Sequence, residues 1–204
     1  MIEIGMSLSK QRKTAGFTLI ELLVSMVIGL VVLAGVATTF TLHTRQNTAE
    51  EQIAQMQQNV RGALDLLVRE IQMAGYKPNG GAVTGVTYST SQLEIQADMD
   101  GNGSINTASG SEEEIIYAYD SSNLQITRKL GSSGTAQLLA DNVTAFTFSY
   151  LDANGAATTT SASVRKISIS ITARTAKRDP SYTSNGGYRT YQLSADITPP
   201  NLAL

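Results

Sequence analysis

"RKTAGFTLIELLVSM", residues 12–26, carries the features that decide the fold of this protein. Two positive charges, Arg12 and Lys13, lead into a run of apolar residues in which Glu21 is the only charge. The run continues to Leu42 and is long enough to cross the roughly 30 Å core of a lipid bilayer as a helix. A charged side chain in such a helix costs about 2.5–3.5 kcal/mol, so Glu21 is expected to have a function that offsets this cost.

The charges ahead of the apolar run predict its orientation. Lys10, Arg12 and Lys13 lie directly before it. Cytoplasmic flanks of membrane helices carry an excess of Lys and Arg. Residues 1–16 are therefore predicted to stay in the cytoplasm, and everything after Leu42 is predicted to be exported.

Two simpler interpretations of the run are available. A cleaved signal peptide has a shorter apolar core, of about 7–15 residues, before a small-residue cleavage site such as Gly35-Val36-Ala37. The length of the run and its acid argue against that reading. A plain membrane anchor explains the length and the flanking charges, but it gives no reason for Glu21.

The composition excludes several classes of function. The chain of 204 residues has 15 basic and 17 acidic residues, one histidine and no cysteine. Disulfides, thiolate zinc sites and cysteine nucleophiles are therefore absent. The basic residues of the C-terminal half are scattered along the sequence, which predicts a solvated face and no nucleic-acid partner. They include Arg165, Lys166, Arg174, Lys177 and Arg178.

No catalytic constellation is found in the sequence. The single histidine, His43, follows the apolar run and has no potential nucleophile motif beside it. The chain is accordingly predicted not to be an enzyme.

The helix is predicted to continue past the apolar run. Apolar residues recur every three or four positions, as one face of an amphipathic helix requires. They are Ile53, Met56, Val60, Leu64, Leu67, Val68, Ile71 and Ala74. The charged residues between them are predicted to form a solvated face, and they are Glu50, Glu51, Arg61, Asp65, Arg69 and Glu70. Gly75 and Pro78 form a stop signal, which ends the predicted helix at Ala74.

Beyond Pro78 the hydrophobic period changes from 3.6 to 2, which indicates β-strands. The predicted strands are 92–95, 115–119, 124–128, 143–150, 164–173 and 191–197. In residues 165–172, isoleucines alternate with hydroxyl residues, as in an antiparallel sheet with one covered face. The amphipathic half of the helix is the expected cover. The fold class is therefore α+β, a long N-terminal helix packed on a small antiparallel β-sheet.

The start of the chain resembles a known family. Gly16-Phe17-Thr18-Leu19-Ile20-Glu21, with a basic leader before it and about twenty apolar residues after it, is similar to the prepilin signature of type IV pilins and type II secretion pseudopilins. The resemblance implies that a membrane peptidase cleaves between Gly16 and Phe17 and methylates the new amine of Phe17. It also implies that Glu21 pairs with the terminal amine of a neighbouring subunit. Opposite charges attract strongly in a water-poor helix bundle, and either one left alone there is costly.

The same resemblance implies a division of the chain. Residues 1–16 would be the leader, 17–42 the transmembrane and assembly half of the helix, 43–75 its amphipathic half, and 76–204 an exported β-rich domain. Many pilins have a kinking proline where this chain has Thr38, which leaves the helix shape open. Gly29, Gly35 and Gly62 are the predicted weak points of the helix, because glycine costs up to about 1 kcal/mol relative to alanine.

A finer resemblance concerns "REIQMAGY", residues 69–76, and "LQITR", residues 124–128. These segments are similar to PilW-type minor pilins and to the related J-type pseudopilin. They imply a noncatalytic subunit that primes or caps a type IV pilus. The alternatives are a J-type pseudopilin of a type II secretion system and a pilus-displayed adhesin or DNA-uptake module.

The pilin resemblance also implies partners and a location. The partners would be other minor and major pilins, the prepilin peptidase, the inner-membrane assembly platform and, before assembly, the lipid bilayer. The protein would span the bacterial inner membrane once, with its C-terminal domain in the periplasm, and then join the fibre.

"DMDGNGSIN", residues 98–106, raises a separate question. Its oxygen-bearing residues follow the first positions of an EF-hand-like calcium loop, from Asp98 and Asp100 through Asn102 to Ser104. The twelfth position is Ser109 and not glutamate, although Glu112–Glu114 follow closely. A polar hairpin explains the Asp-Gly and Asn-Gly pairs as well, so no cofactor is expected, and calcium at this loop is the alternative.

Overall fold

A computed structural model describes residues 16–202. Within them a long α-helix, α1, is followed by eight β-strands. Their bounds are α1 Leu19–Gln72, β1 Val86–Thr87, β2 Gln92–Gln96, β3 Glu114–Asp120, β4 Gln125–Leu130, β5 Gln137–Ala140, β6 Val143–Leu151, β7 Lys166–Arg174 and β8 Thr190–Ile197. The chain forms two compact units, one ending at Asn47 and the other beginning at Thr48. The predicted α+β class is confirmed.

The first unit consists of the apolar part of α1. Its most apolar 18-residue window has a mean hydropathy of 2.6, and none of that window is buried within the protein. By length and composition α1 can cross a membrane.

The helix is continuous at all the positions where the sequence left its shape open. It runs through Gly29, Gly35, Thr38 and Gly62 without interruption. The Thr38 hydroxyl donates to the carbonyl oxygen of Ala34 at 2.9 Å, and the Ser25 hydroxyl donates to that of Glu21 at 2.7 Å. Hydroxyl groups that bond to the preceding turn need no water, so they are tolerated in an apolar environment.

The amphipathic half of α1 supplies one wall of the core in the second unit. The predicted apolar face is confirmed, because the side chains of Val60, Leu67 and Ile71 are fully buried and Met56 and Leu64 nearly so. These side chains join the apolar residues of both sheets in one core cluster. Burying a large apolar side chain of this kind contributes about 1.5–3 kcal/mol.

The end of α1 agrees with the predicted stop signal. The helix ends at Gln72, two residues before the predicted end. Gly75 follows with a φ of 78°, and its amide donates to the carbonyl oxygen of Gln96 at 2.9 Å. A Cβ at this position would lie 2.7 Å from Cδ2 of Leu202, the end of a side chain that can shift, so it is the backbone angle that requires glycine here.

The strands form two antiparallel sheets, whereas the sequence predicted one. The first sheet has the order β1-β2-β3-β4-β5, and the second has the order β6-β7-β8. The division falls after β5, where Asn142 has a left-handed φ of 54° and turns the chain. Strand β6 then pairs with β7 and not with β5. Periodicity reveals the strands, but sheet membership depends on which backbones pair, and a local pattern does not encode that.

All six predicted strands are present, and two others were missed. The strand predicted to begin at Leu124 begins at Gln125, because Leu124 has a left-handed φ of 55°. The missed strands are β1, which has two residues, and β5, an edge strand in which Leu138 is exposed. Neither shows the alternation by which half-buried strands are recognised.

Glu70 corrects the prediction that all charged residues of this helix half are solvated. It is only 9% exposed, and its carboxylate faces the first sheet. The guanidinium of Arg128 on β4 contacts it through Nη2 at 2.5 Å and Nε at 3.0 Å from Oε1. The hydroxyl of Tyr117 on β3 donates to Oε2. We call Glu70, Arg128 and Tyr117 the buried triad; it ties α1 to the centre of the first sheet.

Alkaline pH is expected to weaken the second unit through its buried tyrosines. Burial raises the pKa of Tyr150 from its ordinary value of 10 to about 12, and burial likewise raises the pKa of Tyr117. Above pH 10 the unfolded chain loses these phenolic protons first, so stability present below pH 10 is lost as the pH rises towards 12. Circular dichroism melts at several alkaline pH values should show this fall.

Two variants test the assignment. The melting temperature of Tyr150→Phe should fall less with rising pH than that of the wild type, because the variant lacks one phenol whose pKa is raised by burial. Tyr76→Phe, which changes an exposed tyrosine, serves as the control. If the melting temperature of Tyr150→Phe falls with pH as steeply as that of the wild type, the prediction is contradicted.

Candidate assembly site

The large apolar side chains from Phe17 to Leu42 form an uncovered surface around α1. Each of them is more than half exposed, and Phe17 and Leu19 reach 81% and 80%. Exposed apolar surface of this extent is unstable in water and marks contact with lipid or with other proteins. This surface therefore fits a bilayer, or a bundle of similar helices.

The acid at the start of this surface lies in the first turn of the helix. The Thr18 hydroxyl oxygen accepts a hydrogen bond from the amide of Glu21 at 3.3 Å, so Thr18 caps the helix. Thr-x-x-Glu is the pattern of a capping box, and a negative charge in the first turn is favoured by the helix dipole. Sequence reasoning missed the role of Thr18, although the pattern is visible in the sequence.

The carboxylate of Glu21 remains available for a partner. Among residues 16–202 it has no ion pair and no side-chain hydrogen bond, and the residue is exposed. The helix dipole gives a local reason for an acid at this position. It does not remove the cost of an ionised carboxylate in an apolar surrounding, so a further partner is still expected.

Gly16 and Phe17 precede the helix in an exposed segment without regular secondary structure. A Cβ at Gly16 would meet no atom within 4 Å, so the backbone around this residue is open. A peptidase needs an accessible backbone, and the exposed bond between Gly16 and Phe17 meets that requirement. Cleavage and methylation there remain predictions.

The loop between β2 and β3 contains the residues that suggested calcium. Because β2 and β3 are antiparallel neighbours, the hairpin interpretation is confirmed. Asp98 is fully buried, and its carboxylate accepts three backbone N–H bonds. They come from Gly101 at 2.8 Å, Asn102 at 3.1 Å and Gly103 at 2.8 Å. These three hydrogen bonds hold the loop around the Asp98 carboxylate.

Glu113 organises the other side of the same loop. Its Oε1 accepts the amides of Met99 and Asp100, each at 3.1 Å, and its Oε2 accepts that of Asn106 at 2.8 Å. One oxygen each of Asp98, Asp100 and Glu113 lie within 4.8 Å of one another. Glu113 thus supplies the acid that the EF-hand pattern lacks at Ser109.

These three carboxylates could hold a hard cation such as calcium, which prefers oxygen ligands. The amide bonds to Asp98 and Glu113 already stabilise their negative charges without a cation. Asn102 and Ser104, two further ligands of the predicted pattern, bond to each other, with the Ser104 hydroxyl 2.6 Å from Asn102 Oδ1. Calcium binding at this loop stays a prediction.

Comparisons with known proteins give two family matches. Residues 49–197 match the family described as "Prepilin peptidase-dependent protein B". Residues 11–37 match the "Prokaryotic N-terminal methylation motif". None of the curated protein sequences matches the chain. A solved structure, a type IV-like pilin from Thermus thermophilus, is similar at 15% identity with a TM-score of 0.44, covering 71% of this chain and 97% of that one.

Proposed function

We propose that this chain, which belongs to the prepilin peptidase-dependent protein B family, is a noncatalytic minor subunit that primes or caps a type IV pilus. It is a type IV pilin-like protein with the N-terminal methylation motif. The observation that carries the proposal is the uncovered apolar half of α1 with a single acid in its first turn. That combination suits a helix stored in a membrane and then transferred to a helix bundle.

The proposal assigns a function to each part of the chain. Residues 1–16 are the cytoplasmic leader, and residues 17–42 hold the subunit in the inner membrane before assembly. Residues 43–75 support the exported domain, residues 76–204. The peptidase, the assembly platform and other minor and major pilins are the partners that this sequence of events requires.

Two charges control assembly in this proposal. Removal of the leader frees the amine of Phe17, and methylation keeps its positive charge. In the apolar interior of a fibre, Glu21 of one subunit pairs with the Phe17 amine of its neighbour. Charge pairs are strong at low dielectric, and a wrong axial register leaves both charges buried and unpaired, which is costly.

Mass spectrometry of the mature protein tests the proposal directly. Protein from membranes that contain an active prepilin peptidase should begin at N-methylated Phe17, and protein from a peptidase-deficient strain should keep residues 1–16. Gly16→Leu should retain the leader even with active peptidase, because the side chain obstructs the open backbone that cleavage needs.

A control variant separates specificity from misfolding. Gly29→Leu changes an exposed glycine inside α1, away from the cleavage site, and should be processed normally. An intact leader in the wild type, or a mature terminus near Thr38, would refute processing at Gly16.

A further inference from the structure

The turn between β7 and β8 gathers positive charge. We call residues 174–189 the basic loop. Its charged residues are Arg174, Lys177, Arg178, Asp179 and Arg189, four cations against one carboxylate. The sequence predicted that Arg174, Lys177 and Arg178 are scattered, but the fold places the three arginines of the loop beside two tyrosine rings.

Two tyrosine rings contact the three arginines of the basic loop. The guanidinium of Arg174 lies 4.2 Å from the ring centroid of Tyr188, and that of Arg178 lies 5.9 Å from the same centroid. Arg189 lies 4.7 Å from the ring centroid of Tyr182. Cation–π contacts of this kind order an arginine without neutralising its charge.

The single acid of the basic loop is already occupied. Asp179 Oδ2 accepts from Nη2 of Arg189 at 3.0 Å, and hydrogen bonds from Ser181 together with those from Arg189 lower the pKa of Asp179. The ion pairs found within residues 16–202 leave Lys177 and Arg178 without a carboxylate, and both side chains are exposed. The basic loop therefore presents positive charge that is available to a partner.

A matching acidic surface lies at the same level of the domain. The amide of Lys177 donates to Oε1 of Gln52 at 3.0 Å, which fixes the basic loop against α1. Glu50 and Glu51 precede Gln52 in the helix; both are exposed and have no ion pair among the described residues. Successive helix residues are rotated by about 100°, so Glu51 lies about 100° and Glu50 about 160° around the helix from Gln52, the residue that meets the loop.

One subunit therefore carries a basic and an acidic surface on different sides at one height along the helix. We propose that the basic loop of one copy binds Glu50 and Glu51 of a second copy beside it. The contact is heterologous, so it can join two copies side by side within a priming complex. The inference rests on the proposed function, because it requires neighbouring helices to lie parallel and at similar heights.

Cysteine cross-linking tests this contact, since the chain has no cysteine of its own. Two copies with different tags are produced together, one with Lys177→Cys and the other with Glu51→Cys. Mild oxidation should yield a disulfide-linked dimer that carries both tags. The matched control replaces Glu51→Cys with Asp65→Cys, an exposed position about 20 Å further along the helix. We expect about tenfold more dimer from the first pair than from the control.

The outcomes separate this contact from the proposed function. Equal dimer yields from both pairs, or no dimer although the mature protein begins at Phe17, overturn the proposed contact and leave the pilin function in place. An unprocessed N-terminus would contradict both the proposed contact and the proposed function.

A charge exchange gives a second readout. Two copies with different tags are purified together. Lys177→Glu with Arg178→Glu in the first copy should reduce co-purification of the second, wild-type copy by about tenfold. Glu50→Lys with Glu51→Lys in the second copy should then restore it. A loss that the exchange does not restore contradicts the contact. Salt-sensitive binding of single-stranded DNA by Lys177 and Arg178, without any cross-linked dimer, would also overturn it in favour of a nucleic-acid partner.

Discussion

Arg128→Ala is expected to lower the free energy of unfolding by about 3–5 kcal/mol, because it leaves the Glu70 carboxylate buried without its cation. This is a large share of the 5–15 kcal/mol typical of a folded domain. The measurement is denaturant unfolding of the full mature protein in detergent. The chain has 8 tyrosines and no tryptophan, so tyrosine fluorescence or circular dichroism reports the transition.

Two comparisons make this prediction specific to the buried triad. Arg61→Ala removes an exposed cation from the amphipathic half of α1, where Glu70 also lies, and should change the free energy of unfolding by less than about 0.5 kcal/mol. The combined variant Glu70→Leu, Arg128→Met, Tyr117→Phe removes the charge pair entirely and should be more stable than Arg128→Ala alone. If Arg128→Ala unfolds within about 1 kcal/mol of the wild type, the buried triad does not carry the stability assigned to it.

Glu21→Ala and Glu21→Gln are both expected to reduce the amount of protein in sheared pili by about a hundredfold or more, since each leaves the Phe17 amine of a neighbour unpaired in an apolar bundle. Glutamine keeps the size and polarity of glutamate but removes its charge. The measurement is immunoblotting of the fibre fraction against the membrane fraction. Processing at Gly16 and the amount in the membrane should not change.

Thr18→Ala is the matched control that tests helix capping separately from charge pairing. It removes the hydroxyl that caps the helix and is expected to cost about 1 kcal/mol of helix stability without blocking assembly. Normal incorporation of Glu21→Gln would contradict the electrostatic explanation. Assembly defects of equal size in Thr18→Ala and Glu21→Ala would indicate that capping, and not charge pairing, is the reason for the acid.

The helix was predictable because its signals are local. The buried residues of its second half recur at helical spacing, from Met56 to Ile71, and Gly75 ends it through its left-handed backbone. The strands whose two faces differ in burial were predictable for the same reason. Strand β7 alternates buried isoleucines with partly exposed hydroxyl residues along its length.

The features that the sequence did not reveal depend on contacts between distant residues. Glu70 has the sequence neighbourhood of a solvated helix residue, and only the position of β4, fifty-eight residues later, makes it a buried ion-pair partner. Glu113 likewise bonds to Met99 and Asp100 only because β2 and β3 pair and return the chain to the same place. The basic loop depends in the same way on the turn that brings Tyr188 back to Arg174.

The sequence by itself determined a chain with a charged start, an apolar helix bearing one acid, an amphipathic extension and a β-rich remainder, because periodicity and charge order are properties of neighbouring residues. Tertiary structure alone decided the division into two sheets, the burial of Glu70 and the gathering of cations between β7 and β8. Those outcomes are set by strand pairing and side-chain packing across long stretches of chain, where each contact depends on the position of all the others.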